Sequence, residues 1–304
     1  MYSYQERDNL IYQLHPATMI VFVMAIFILA MVFSHPVYLL GLLLAVGIVI
    51  VASGNFGNWK TYLRFCLMMA LFIILINALF SPAGTTVLLE LQVIPGFYSI
   101  QVTKEALAYG MGMSIRLMII ISVFCLYTYV INPDKILGIL GRFGNKSVLV
   151  ISLCTRLFPL MIEDYKRIAE VQRCRGVNYQ SAKWWDRIRN LLPVCSVLLL
   201  SSLERSMQQA ESLYARAYGS GSRTCYNREI WRLRDYLTLI VIVIAMLAGV
   251  WTAWMGWSTY NYYPKLNEFL INETVTAFIL SLAFTVPAIL NWGWMKWPTL
   301  RSKI

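Results

Sequence analysis

Two histidines in 304 residues, and six cysteines that never form a Cys-x-x-Cys pair, leave no metal-ligating cluster to read from this chain. Cys66, Cys125, Cys154, Cys174, Cys195 and Cys225 mostly sit in or beside apolar runs, which suits reduced, small side chains rather than a disulfide or zinc framework. Charged residues are scarce, at 13%, and gathered into a few blocks. There is no His-Glu-x-x-His, no nucleophile–base set and no carboxylate pair inside an apolar run, so an intramembrane enzyme is not expected. A phosphate loop is also missing. Gly141-Arg-Phe-Gly-Asn-Lys-Ser147 lacks the glycine that must directly precede the lysine. No basic segment precedes the first apolar run, which follows Glu6, Arg7 and Asp8, and no small-residue cleavage site follows it, so no cleavable secretory signal is expected.

What the chain has in abundance is hydrophobic sequence, 59% of it, which is too much for a soluble globular domain. A membrane-crossing helix needs about 20 predominantly apolar residues. Residues 17–33, 37–52, 65–80, 106–131, 237–257 and 271–291 meet or approach that length. Ser34-His35-Pro36 separates the first two, Thr103 stands as N-cap of the fourth and Asn132-Pro133 stops it. The apolar runs at 148–162 and 191–203 are shorter or interrupted by Arg156 and Pro159, and read as interfacial helices. Charge supports that division. Leaving 132–234 on the inner side gathers most of the basic residues there, with Lys104 and Lys265 among the few outside. The net charge of +11 is thereby explained by orientation in a bilayer, and no nucleic acid is expected as a partner. Trp251, Trp254 and Trp257 then approach the outer surface, and Trp292, Trp294 and Trp297 the inner one. The fold expected is all-α: a polytopic membrane protein with about six transmembrane helices plus long amphipathic helices in the water. The segments are 1–147, 148–236 and 237–304.

The water-facing stretch holds two amphipathic patterns. Leu157, Met161, Tyr165, Ile168 and Gln172 recur at helical spacing on the first, and Leu199, Leu203, Met207, Ala210, Leu213 and Ala217 on the second. Each pattern ends in an arginine between small residues: Cys174-Arg175-Gly176, and Ala215-Arg216-Ala217 with Gly219 expected to end the helix. Pro193 is expected near the start of the second helix. A cation at a helix C-terminus gains about 0.3–1 kcal/mol from the dipole, which accounts for either arginine alone. The duplication asks for more. An arginine fork flanked by small residues can enter a groove and pair with a carboxylate. Within the spans, Arg116 reads as a structural tether to backbone carbonyls or a helix end, and Asn77 as an interhelical hydrogen-bonding group. A stand-alone secondary transporter is the alternative class, but the acidic midplane residues and internal repeat that such folds favour are not found.

Taken in order, Leu14-His-Pro-Ala-Thr18, Ile76-Asn-Ala-Leu-Phe80, Gly84, Thr103-Lys-Glu-Ala-Leu107, Arg116-Leu117, Thr155-Arg-Leu-Phe-Pro159 and the two arginine triplets resemble the transmembrane T component of energy-coupling factor (ECF) transporters, the cobalt-transport permease family. The resemblance runs to about Thr224. It implies a non-enzymatic scaffold in a multi-pass cell membrane location, with both termini cytoplasmic. It also implies two partner ABC ATPases, which bind ATP and magnesium, and a membrane-embedded S component that binds a vitamin or a transition metal ion. No cofactor is implied for this chain itself. Carried over by position, Arg175 and Arg216, with Cys174, Gly176, Ala215 and Ala217, are the ATPase-docking residues. Met161, Tyr165, Met207 and Leu213 are S-component contacts, and Arg116, Arg156, Asn77 and Pro159 are structural. The family triplet is commonly Ala-Arg-Gly, so Cys174 and Ala217 are departures.

Overall fold

A computed structural model describes residues 9–80, 84–92, 99–140, 145–177, 184–221, 231–263 and 271–296. Lys265, Trp297 and Cys225 lie outside the described residues. The elements are α1 (Leu10–Gln13), α2 (Pro16–Val32), α3 (Pro36–Ala52), α4 (Phe56–Phe80), β1 (Val87–Gln92), β2 (Ser99–Thr103), α5 (Lys104–Val130), α6 (Pro133–Leu140), α7 (Asn145–Cys174), α8 (Trp184–Ala215), α9 (Leu233–Trp254), α10 (Ile271–Phe284) and α11 (Val286–Lys296). Among the described residues the protein is all-α apart from one antiparallel strand pair, in which Glu90 pairs with Gln101 and Leu91 with Ile100.

Contacts divide the chain into two compact units, one of residues 1–136 with 229–304 and one of residues 137–228. The segments expected at the two ends of the chain thus pack together as one unit. Its core is built on α2 and α3, where Phe22, Ile26, Leu29, Phe33, Leu42, Val46 and Ile50 are almost wholly buried. Both helices begin the same way. A histidine at the N-cap accepts, through Nδ1, the N–H two residues on, and proline occupies the first turn: His15 takes Ala17 N at 3.2 Å and His35 takes Val37 N at 3.3 Å. Proline suits that turn because its absent N–H is one that a helix start leaves unbonded anyway.

Among the described residues three helices, α4, α5 and α9, are long and apolar enough to cross a bilayer. The helices α2 and α3 hold 17 residues each, at the short end of the spanning range. Three expected spans are corrected in detail. The third, expected over 65–80 with Tyr62 and Leu63 extending it, begins at Phe56, because helix continues through Trp59, Lys60 and Arg64 ahead of the apolar run. The fifth begins at Leu233 and ends at Trp254. The last is broken into α10 and α11, bent by 43°. Pro287 explains the break, since it cannot donate to Ala283 and its ring crowds that carbonyl.

Between apolar helices in lipid, close backbone approach and van der Waals packing replace the hydrophobic drive. The contact of α4 with α5 shows it. A Cβ at Gly110 would stand 3.1 Å from the Ile74 Cα. Ser114 Oγ donates to Ala70 O at 3.2 Å, and Trp59 Nε1 donates to Ser122 Oγ at 2.9 Å. Among the described residues Asn77 does not make the expected interhelical bond. Its Nδ2 donates to Ile73 O at 2.9 Å within α4, because Gly110 brings the α5 backbone against the Asn77 Cβ and leaves its amide to its own turn.

Candidate functional site

The two long helices of the 137–228 unit run further than their apolar runs. In α7 helix is continuous from Asn145 to Cys174 through Pro159, and in α8 from Trp184 to Ala215. Pro193 therefore lies inside α8, not near its start, because residues 184–190 extend the helix N-terminally without an apolar signal.

Both helices close with one hydrogen-bond pattern. At α7, Gly176 N donates to Arg173 O at 2.9 Å and Val177 N to Gln172 O at 3.1 Å, with Gly176 at φ +85. At α8, Ala217 N donates to Tyr214 O at 2.9 Å and Tyr218 N to Leu213 O at 3.0 Å, with Ala217 at φ +54. This is the Schellman closure, in which the residue after the C-cap turns left-handed and two backward N–H groups satisfy orphan carbonyls. Arg175 and Arg216 hold the identical C-cap position. The expectation that Gly219 ends the second helix is corrected. Ala217 makes the left-handed turn, and Gly219, at φ +97, belongs to the turn beyond it. Glycine takes that conformation without cost, whereas an L side chain there costs about 1–2 kcal/mol. Among the described residues Ala217 is the one non-glycine residue at positive φ.

Cys174, Arg175, Gly176, Ala215, Arg216 and Ala217 are all exposed. Among the described residues neither guanidinium has an ion-pair or hydrogen-bond partner, and the carbonyls it could have capped are taken by backbone N–H groups.

Arg205 behaves differently. Its Nη2 lies 2.8 Å from Asp164 Oδ2, tying α8 to α7, while Arg167 Nη2 donates to Asp164 Oδ1 at 3.1 Å. Nothing in the sequence marked this pair, whose members are 41 residues apart. On α7, Leu157, Met161 and Ile168 are half-buried and Ala169 is buried, whereas Tyr165 is exposed. On α8 it is Val194 that is fully buried, and Leu213 is half-buried. The rest of the expected stripe, Leu199, Leu203 and Met207, is 59–67% exposed, and an open groove runs along Ser196, Leu199, Leu200, Ser202, Leu203 and Ser206. Arg156 is exposed and makes no ion pair among the described residues.

In the other unit, Arg116 Nη2 donates to Phe33 O at 2.7 Å, at the C-cap of α2. Gly84 lies against Thr103 and Glu105, so tightly that a Cβ there would come within 2.5 Å of Glu105 Oε2. Glu105 Oε1 in turn accepts from Thr86 Oγ1 at 2.8 Å, so two sequence landmarks twenty residues apart form one site at the start of α5.

Comparison with known proteins gives a consistent picture. The cobalt transport protein family (CbiQ) matches residues 8–226. The energy-coupling factor transporter transmembrane protein EcfT of Listeria innocua is 31% identical over 59% of this chain and 68% of its own length. That of Streptococcus thermophilus is 27% identical over 78% of this chain and 91% of its own, and that of Bacillus subtilis 25% over 82% and 95%.

Proposed function

The chain belongs to the cobalt transport protein family and is a transmembrane component of an energy-coupling factor transporter, and from that premise we propose that it grips two ABC ATPases through Arg175 and Arg216. The observation that carries this reading is the repeated helix closure, which presents both guanidinium groups to water from the same backbone position. A guanidinium with no internal partner is free to make bidentate, charge-assisted bonds to a carboxylate in a partner's groove. ATP and magnesium bind in those partners, and the chain itself is not an enzyme. Closure of the ATPase pair moves the two anchored ends, and α7 and α8 carry the displacement to an S component in the membrane. The exposed stripe of Leu199, Leu203 and Met207, with Met161, Tyr165 and Leu213, is the surface offered to that S component. The S component holds the substrate, a B vitamin or a transition metal ion. Both termini and the 137–228 unit face the cytoplasm, in keeping with the distribution of basic residues.

The test is reconstitution. The purified chain alone in proteoliposomes hydrolyses no ATP and moves no substrate, and uptake appears only with ATPases and an S component added. Uptake by the chain alone, driven by an ion gradient, contradicts the reading.

A further inference from the structure

The turn between α2 and α3 is held from several directions at once. Arg116 of α5 binds Phe33 O. Ser34 N and His35 N both donate to Ser258 O, at 3.1 and 2.9 Å. Tyr262 Oη donates to Ser34 O at 2.9 Å, and burial pushes that phenol up to about 12, so it stays a donor throughout the physiological range. At the centre is His35, 1% exposed, whose Nε2 lies 3.3 Å from Glu273 Oε2 at the start of α10.

The imidazole's two nitrogens have different duties. Nδ1 accepts the Val37 N–H, the first donor of α3 because Pro36 has none, so the neutral ring must carry its proton on Nε2, facing Glu273. A second proton can enter only at Nδ1. There it meets the Val37 N–H, donor against donor, and the cap is lost. The Nε2–H continues to face the Glu273 carboxylate, now as a charged pair.

We propose that His35 is a proton-operated latch, whose neutral ring caps α3 and whose protonated ring releases that cap while keeping Glu273 on α10. Among the described residues, the titratable and charged groups around the ring include Glu273 from α10, Tyr38 from α3 and Tyr260 from the segment after α9, with Arg116 and Tyr262 bound to the adjoining carbonyls. Burial lowers the His35 imidazole below its ordinary 6.5, and Glu273 only partly offsets it. The unfolded chain therefore binds the proton first. The cap's contribution is complete above about pH 6.5 and is lost as pH falls through the folded value beneath it. In the proposed topology this turn faces the outer medium, so the proton sensed is external. The latch itself does not depend on the ATPase reading, and it can stand or fall separately.

The test uses the full chain in lipid nanodiscs. With only two histidines present, nitrogen-15 histidine spectra resolve each ring, and His35 should show the Nε2–H tautomer at neutral pH. Amide exchange at Val37–Leu39, corrected for intrinsic rates, should lose about fivefold protection on acidification, the factor a helix N-cap confers. His35→Asn, which keeps an acceptor but cannot titrate, should give a flat profile, and Glu273→Gln should move the loss to lower pH. An Nδ1–H tautomer, or the same acid-induced loss in His35→Asn as in the unaltered chain, overturns the latch. If the asparagine variant does not fold, the tautomer in the unaltered chain decides alone.

Discussion

Asp164 on α7 and Arg205 on α8 meet at 2.8 Å with only 15% and 31% of their side chains exposed, and this pair fastens the two long helices to each other. A partly desolvated, charge-assisted bond is worth more than a surface ion pair. Asp164→Ala is expected to cost about 1.5–3 kcal/mol of local stability. Hydrogen exchange across α7 and α8 reads it as loss of protection in both helices with the transmembrane helices unchanged. Protection lost from α7 alone contradicts a cross-helix tie.

The two helix ends differ in one respect that predicts opposite responses. Ala217 sits left-handed with a Cβ, whereas Gly176 does so without one. Ala217→Gly should stabilise the last turn of α8 by about 1 kcal/mol, and Gly176→Ala should destabilise that of α7 by about as much. Amide protection in the two terminal turns measures both. Equal signs at the two ends contradict the shared closure.

Gly110 permits the backbones of α4 and α5 to touch at Ile74. Gly110→Val forces them apart, and a loss of about 1–3 kcal/mol is expected, the usual result of overpacking. Thermal unfolding in detergent should register it, with Gly138→Val as the control, since nothing stands within 4 Å of a Cβ at Gly138.

Arg116 donates to the carbonyl that ends α2. Arg116→Met removes the donor and leaves that carbonyl without its charged partner, at a cost of about 1.5–3 kcal/mol. If Arg116 is purely a tether, the assembled transporter with Arg116→Met shows lower thermal stability and unchanged uptake per folded molecule. Loss of uptake at full stability assigns Arg116 a part in transport.

Local features were the legible ones. Thr103 caps α5, accepting from Ala106 N at 3.3 Å, and Ser34-His35-Pro36 parts α2 from α3, because a cap needs only neighbours in the chain. Gly176 was legible as the left-handed residue that closes α7 for the same reason, while Ala217 was not, since alanine carries no preference for a left-handed turn. The strand pair had only a weak local signal, the alternation of Ser99-Ile-Gln-Val-Thr103 after Pro95-Gly96, because strands of six and five residues carry little periodicity beside long apolar spans. The break before Pro287 had a local signal too, which the length of the apolar run concealed. Asp164–Arg205 and Asn77's bond to its own helix had none. Both are decided by which backbones come close, and periodicity in one segment does not contain that.

The docking claim is tested most directly by co-purification from membranes of the ATPases with the unaltered chain, with Arg175→Lys/Arg216→Lys, and with Arg175→Ala/Arg216→Ala. All three should insert and fold alike, since both side chains are exposed and make no internal bond among the described residues. The account predicts full recovery of ATPase with the unaltered chain, weakened recovery with the lysine pair, whose ammonium lacks the bidentate fork, and none with the alanine pair. Undiminished recovery of ATPase with the alanine pair contradicts it.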